Sequence, residues 1–363
     1  MQLTDREWKE FYIGGENGLF ELKSTSSGVD KNKLNSASGD IPYITRTDGS
    51  NGIDLFVNDK QNDKYKIDMN NVITIGLDTQ TVFYQPHKFY TGQNIQVLSN
   101  AYLNQYNAKF ICRLLKIQLK KYNWGGNGAT LGRLKRAKIM LPVNKNSDPD
   151  YVFMDAYVKE QENRKKQEYI DYAKKVLAKL EYKEVKALKE KTYGEFKVFD
   201  LFNYKRGNQN NMNLLIEGNN MLISAKNISN GLKGFYKSNN DKKTVYQGDC
   251  ITLNNDGDGG VGLAYYQPNK FLLDTHVYAL YSKTDINKYS KLYITLALSK
   301  QRICFSHGRS ISKERLEKMK IMLPISEKNQ PDYAYMEQYI KNIEYKKITQ
   351  YLDYLSSNKY TAS

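Results

Sequence analysis

The chain has 363 residues, enough for two domains of about 150 residues each with a core of its own. With 40% apolar, 26% charged and 12% aromatic residues it is globular in composition, which excludes a disordered or fibrous protein. Its 55 Lys and Arg against 39 Asp and Glu give a net charge of +16, so a polyanion is the leading partner: nucleic acid first, a membrane surface second.

The N-terminus, MQLTDREWKEF, has neither a basic start nor an apolar run, so no signal peptide is visible. No stretch reaches the eighteen or so apolar residues that a membrane-spanning helix needs. Cys112, Cys250 and Cys304 are scattered without CxxC spacing, which suggests neither a disulfide framework nor a zinc site. These features predict a cytoplasmic protein of a reducing compartment, with no membrane association.

In chain order, IPYITRT from Ile41 and NNVITIGL from Asn70 read as strands, rich in β-branched and aromatic residues and bounded by Gly, Asn and Asp. Leu103 to Lys121 has helical spacing. From Pro149 to Lys191 there is no further Pro or Gly, and Met154, Tyr157, Val158, Ile170, Ala173, Val176, Leu177 and Leu180 form one apolar stripe. This predicts a helix of roughly 40 residues, about 60 Å long, with Asp148 as its cap and Pro149 in its first turn. Beyond it, DTHVYALYS from Asp274 reads as a strand and Ile286 to Gln301 as a helix. Pro331 to about Ser357 gives a second long helix, with a seam of Met336, Tyr339, Ile340, Ile343, Tyr351, Leu352 and Leu355.

The chain repeats itself. RLKRAKIMLPV from Arg133 returns as RLEKMKIMLPI from Arg315, an offset of 182 residues. The same offset carries VFYQPHKF at Val82 onto AYYQPNKF at Ala264, PDYVFMDAYVK at Pro149 onto PDYAYMEQYIK at Pro331, and YIDY at Tyr169 onto YLDY at Tyr351. Upstream the register drifts, pairing SNGI at Ser50 with SNGL at Ser229 and EWKEF at Glu7 with EFKVF at Glu195. The protein is a tandem duplication of a mixed α/β (α+β) globule followed by a long helix. The boundaries fall at 1–147 and 193–329 for the globules, 148–192 for the first helix and 330–363 for the second helix and tail. A lone amphipathic helix leaves its stripe in water, so the two helices are expected to pair as an antiparallel coiled coil.

No catalytic apparatus is evident. NWGGNGATLGR, ending at Arg133, lacks the GK[ST] of a phosphate loop. NNDGDGGVG from Asn254 has calcium-loop spacing but Tyr265 where Glu belongs, so it reads as a turn. His87, His276 and His307 form no ligand pair. The PDY pairs at Pro149 and Pro331 open helices and read as caps instead of methyltransferase or nuclease motifs. No metal and no cofactor is therefore expected in this chain. What remains is recognition by loop residues that hold phosphates and read base edges. In the first copy these are Arg46, Asn51, Gln80, Trp124, Asn127, Arg133 and Lys135. In the second they are Gln209, Asn210, Lys226, Asn227, Asn230, His307, Arg309, Ser310 and Lys313.

This layout resembles the specificity subunits of type I restriction–modification systems. The second copy carries the detailed match: GDCITLNNDGDGGVGLAYY from Gly248, then SHGRSISKERLEKMKIMLP from Ser306; the first keeps GATLGRLKRAKIMLP. After LP the chain departs from the usual EQ pair and I-rich helix and reads NKNSDPDYVFMDAYVKE and SEKNQPDYAYMEQYIKN, closer to type IIB-like subunits that partner a fused nuclease–methyltransferase. The resemblance implies a noncatalytic subunit with two target recognition domains, each reading half of a bipartite double-stranded DNA site. Its helices would set the spacing and dock two methyltransferase subunits per chain, which carry S-adenosylmethionine; a restriction or motor subunit, or the fused enzyme, completes the partner set. The contrasting readings are an autonomous nuclease or methyltransferase with unrecognised motifs and an adaptor that binds nucleic acid without sequence preference.

Overall fold

The computed structural model describes residues 1–122, 127–210, 214–238, 245–257, 260–306 and 308–357. It divides into two compact units, Met1–Tyr169 and Ile170–Ser363.

The first unit contains β1 (Trp8–Tyr12), β2 (Glu21–Ser24), β3 (Ile41–Ile44), β4 (Ile53–Val57), β5 (Val72–Gly76), β6 (Val82–Gln85), β7 (Tyr90–Thr91), β8 (Ile95–Ser99), α1 (Asn107–Leu119), α2 (Leu131–Arg136), β9 (Lys138–Pro142) and all but the last eight residues of α3 (Tyr151–Leu177). An antiparallel sheet of order β2-β8-β5-β6 forms the centre, and β5, VITIG, is buried throughout, as a strand covered on both faces must be. The α1 residues Ala108, Ile111, Leu115 and Leu119 recur at three- and four-residue spacing and pack on Ile73, Ile75, Val82 and Leu98. A smaller sheet, β4-β3-β7, closes over Val29, Tyr43, Val57 and Tyr90. The KIMLP block is β9, which pairs antiparallel with β1; strand alternation turns Ile139 and Leu141 inward and leaves Met140 exposed.

The second unit repeats the plan with β10 (Tyr193–Lys197), α4 (Val198–Leu201), β11 (Phe202–Arg206), β12 (Glu217–Ile223), β13 (Leu232–Tyr236), β14 (Cys250–Asn254), β15 (Ala264–Gln267), β16 (Phe271–Leu273), β17 (Val277–Ser282), α5 (Lys288–Lys300), α6 (Lys313–Lys318), β18 (Lys320–Pro324) and α7 (Tyr333–Ser357). Its sheets run β11-β17-β14-β15, β13-β12-β16 and β10-β18, strand for strand the order of the first unit. The mixed α/β duplication read from the sequence is thus present. One detail of its register changes: β1 and β10 face Met140 and Met322 with Glu10 and Glu195, so Glu10, not Glu7, is the counterpart of Glu195.

The long helices differ from expectation in three respects. First, α3 spans 27 residues, about 40 Å, and stops at Leu177 instead of reaching Lys191. The segment after it is held in non-helical form by α7. Asn342 accepts from the Lys183 amide at 3.2 Å and donates to the Lys183 carbonyl, while Gln338 and Tyr335 donate to the carbonyls of Glu181 and Lys186 at 2.8 Å each. Carbonyls taken by another helix are lost to helix propagation, so tertiary contacts override a helix-forming composition. Second, the cap is Asp150 rather than Asp148: its Oδ1 accepts from the Phe153 amide at 2.9 Å, as Asp332 does from Tyr335 at 3.0 Å. Third, the first part of each stripe belongs to a globular core instead of a seam. Met154, Tyr157 and Val158 pack into the first unit, and Met336, Tyr339 and Ile340 into the second.

The caps are further locked. Arg6 donates to Asp150 Oδ2 at 2.8 Å and stacks over Phe153; Lys191 does the same to Asp332 at 2.8 Å and lies over Tyr335. Burial alone would push the Asp332 carboxyl up, but the Lys191 and Tyr335 hydrogen bonds and the Lys191 charge outweigh it and hold that carboxyl below its ordinary range. Among the described residues no helix is long and apolar enough to cross a membrane.

Candidate nucleic-acid interface

Some of the predicted contact residues, Arg46, Gln80, Lys226, Ser310 and Lys313 among them, lie at one end of each central sheet, where β5 or β14 runs out into a loop. In the first unit this end is built on Leu77. Its amide donates to the Asn94 carbonyl at 2.9 Å and its carbonyl accepts from Ala129 at 2.8 Å, tying together the β5–β6 turn, the start of β8 and the loop before α2. Arg46, leaving β3, lies against Gly76 and forms an ion pair with Asp78. Gln80 sits in the turn at a φ of 53° and donates to the Leu77 carbonyl at 3.0 Å. Asn127 is spent on the Lys121 carbonyl at 3.0 Å.

The same junction in the second unit is built on Asn255. Its amide donates to the His276 carbonyl at 2.9 Å and its carbonyl accepts from Ile311 at 2.7 Å. Around it open two adjoining clefts. One, of about 420 Å³, is lined by Tyr204, Arg206, Asn255, Ser310 and Lys313; the other, of about 350 Å³, by Lys226, Lys233, Asp274 and His276; Asp256 borders both. Asp274 accepts from both the amide and the ring of His276, at 3.0 and 2.9 Å.

Several predicted contact residues are engaged within the fold. Gln209 is buried beside Asp274 and donates to the Asn210 carbonyl, because a residue bridging the two sheets has its side chain turned inward. Arg133 reaches back to the Gly128 carbonyl at 2.8 Å, and Arg315 makes the identical five-residue return to Ser310 at 2.6 Å. Asn51 and Asn230 lie away from the junction, toward the opposite end of the strand pair. Each occupies left-handed backbone (φ 57° and 51°) before a glycine that does the same. Buried Gln85 holds the Asn51 carbonyl at 3.2 Å and the Thr74 hydroxyl at 3.0 Å; buried Gln267 holds Asn230 and Thr252, both at 3.0 Å. Asn51 also donates to the Tyr84 carbonyl. Lys135 is exposed on α2, whereas Asn210, Asn227 and Arg309 are exposed in loops. Trp124 and His307 lie outside the described residues, as do Asp258 and Gly259 of the glycine-rich run.

Asn255, Arg206 and Lys233, which the sequence reading did not name, also line these clefts. Asn255 could have been found only by aligning β14 on β5, where the offset is 178 and not the 182 of the later blocks.

Burial pushes the Cys112 and Cys250 thiols up to about 12, which keeps both protonated and poor as nucleophiles at neutral pH. Among the described residues no three His, Cys, Asp or Glu side chains are placed to share a metal.

Comparison with known proteins gives the family. The type I restriction modification DNA specificity domain matches twice, at residues 5–170 and 190–352. The chain is 27% identical over 330 residues to the type II restriction enzyme BgcI specificity subunit S.BcgI of Heyndrickxia coagulans, covering 88% of this chain and 90% of that one. Among solved structures it is similar to the type I restriction–modification S subunit of M. genitalium, at 18% identity and a TM-score of 0.47, covering 98% and 94% of the two chains. It is also similar to the HsdS subunit of Thermoanaerobacter tengcongensis, at 14% identity and a TM-score of 0.31, covering 97% and 91%. With both matched segments together spanning most of its length, the chain belongs to the type I restriction modification DNA specificity domain family and carries that domain in two tandem copies.

Proposed function

We propose that the two units each read one half of a bipartite, asymmetric double-stranded DNA site. The chain is a DNA-specificity subunit of a restriction–modification system, a recognition component that works with methyltransferase and other subunits. The observation that carries the split reading is the sheet-end junction: both units build it with the same backbone hydrogen bonds, yet place different side chains on it. In this reading α3 and α7 pair, set the half-site spacing and dock one methyltransferase body per copy, and S-adenosylmethionine binds on those partners. The PDY continuation after IMLP and the similarity to a type II specificity subunit favour a type IIB-like partner in which nuclease and methyltransferase are fused.

Exchanging Glu195–Leu323 for the corresponding unit of another family member tests this. Methylation mapping should show a change in one half-site only; a change in both halves, or in neither, defeats it. Inserting one or two helical turns into α3 ahead of Lys174 should lengthen the tolerated spacer or abolish activity, without altering either half-site.

A further inference from the structure

The structure assigns Asn255 as a base-reading residue of the second unit and adenine as the base it reads; this inference rests on the reading of the chain as a DNA-specificity subunit. Asn255 and Leu77 occupy the same address. Both follow the last residue of the central strand, both donate to the carbonyl at the start of the neighbouring segment (His276 and Asn94), and both accept from the loop before the short helix (Ile311 and Ala129). The fold therefore needs the backbone at this position and not the amide, since leucine serves equally well in the first unit. That unit also carries glycine at 128, whose absent Cβ leaves room for the Leu77 side chain, where the second has Ser310.

The amide is nevertheless buried and uncommitted. Asn255 is 3% exposed, its Oδ1 has no hydrogen-bond donor, and its side chain makes no hydrogen bond among the described residues. Folded proteins keep few such groups, and a functional ligand is one of the reasons they persist. The cleft it borders sets the Arg206 and Lys313 cations beside the Asp256 and Glu314 carboxylates, with the Tyr204 ring on its wall; the two cations are the groups a phosphate strand would use. Loops framing the cleft must part for a base edge to reach Oδ1.

The chemistry of the amide selects the base. Asparagine offers one acceptor and one donor side by side. In the major groove adenine presents the complement, the N6 amino donor beside the N7 acceptor; guanine presents two acceptors there, thymine one acceptor and cytosine one donor. Only adenine satisfies both heads, and Leu77 in the first unit can make neither bond.

The test uses the full complex of this chain with its modification partner. Methylation rates are measured on duplexes carrying its bipartite site, with 7-deazaadenine replacing each adenine in turn to delete N7. The expected result is one adenine in the second half-site at which the wild type loses roughly 5- to 150-fold, while Asn255→Leu shows no further loss at that position. Asn255→Asp, which keeps the shape and offers acceptors only, should shift the preference there toward cytosine, a gain that misfolding cannot imitate. The inference is overturned if no adenine of that half-site responds, if Asn255→Leu discriminates as the wild type does, or if it loses both half-sites equally. A complex with no bipartite preference at all would instead sink the specificity reading, and this inference with it.

Discussion

The two ends of each unit have kept different things. At the end where the first and last strands of each unit pair, the units are nearly interchangeable. Ile139 and Leu141 face inward as Ile321 and Leu323 do, Lys138 pairs with Glu10 as Lys320 pairs with Glu195, and Arg6 locks Asp150 as Lys191 locks Asp332. At the sheet end the backbone bonds persist but the side chains diverge: Leu77 against Asn255, Gly128 against Ser310, the Arg46–Asp78 pair against open clefts lined by Lys226 and Arg206. Divergence at the sheet end, on backbone bonds that both copies share, separates what the fold requires from what each copy is for.

Breaking the shared frame should cost most. Met154 and Met336 are fully buried at the two helix starts, so Met336→Ala should destabilise its unit by about 2–5 kcal/mol in denaturant unfolding, and Met154→Ala should match it. A value near zero would return these residues to a helical seam. Gln267→Leu strips the hydrogen bonds from the Asn230 carbonyl and the Thr252 hydroxyl, a loss of about 1–3 kcal/mol. Gln85→Leu should behave alike, and a large difference between the two would end the equivalence of the frames.

Asp332→Ala should cost about 0.5–2 kcal/mol through the lost cap. Because the folded Asp332 carboxyl is held below its ordinary range, its contribution is complete above the unfolded carboxylate value near 4 and disappears as pH falls through the lower folded value. Asp332→Asn should therefore show a flatter acid limb in stability measured against pH, and an unchanged limb would place the ion pair outside the frame's energetics. Smallest is Lys135→Ala: exposed on α2, it should move stability by less than about 0.5 kcal/mol. If it touches phosphate, the salt dependence of DNA affinity should weaken by about one in slope; an unchanged slope removes it from the interface.

The duplication and the mixed α/β composition were legible in the sequence because KIMLP, YQP and PDY carry inward-facing or capping residues at a repeated spacing, and three strands, β3, β5 and β17, were legible from their β-branched and aromatic runs. The helix end at Leu177 was not, because Asn342, Gln338 and Tyr335 act on Glu181–Lys186 from far along the chain. Site residues were legible by neighbourhood only. Arg46, Lys226, Ser310 and Lys313 fall at the sheet end, yet a polar loop residue such as Arg133 or Asn127 looks the same in sequence whether it faces a partner or its own backbone. Asn255 was hidden by the opposite problem, sitting in a run of Asn, Asp and Gly where a turn was sufficient explanation.

Each unit also begins and ends in one place, since Trp8 lies opposite Pro142 and Tyr193 opposite Pro324 in paired strands. The exit strand is the same five residues, KIMLP, in both copies. Genetic crossover between the two copies within that stretch would splice one unit onto the other's exit strand with the hydrogen-bond register intact. New DNA specificities could then arise in single events.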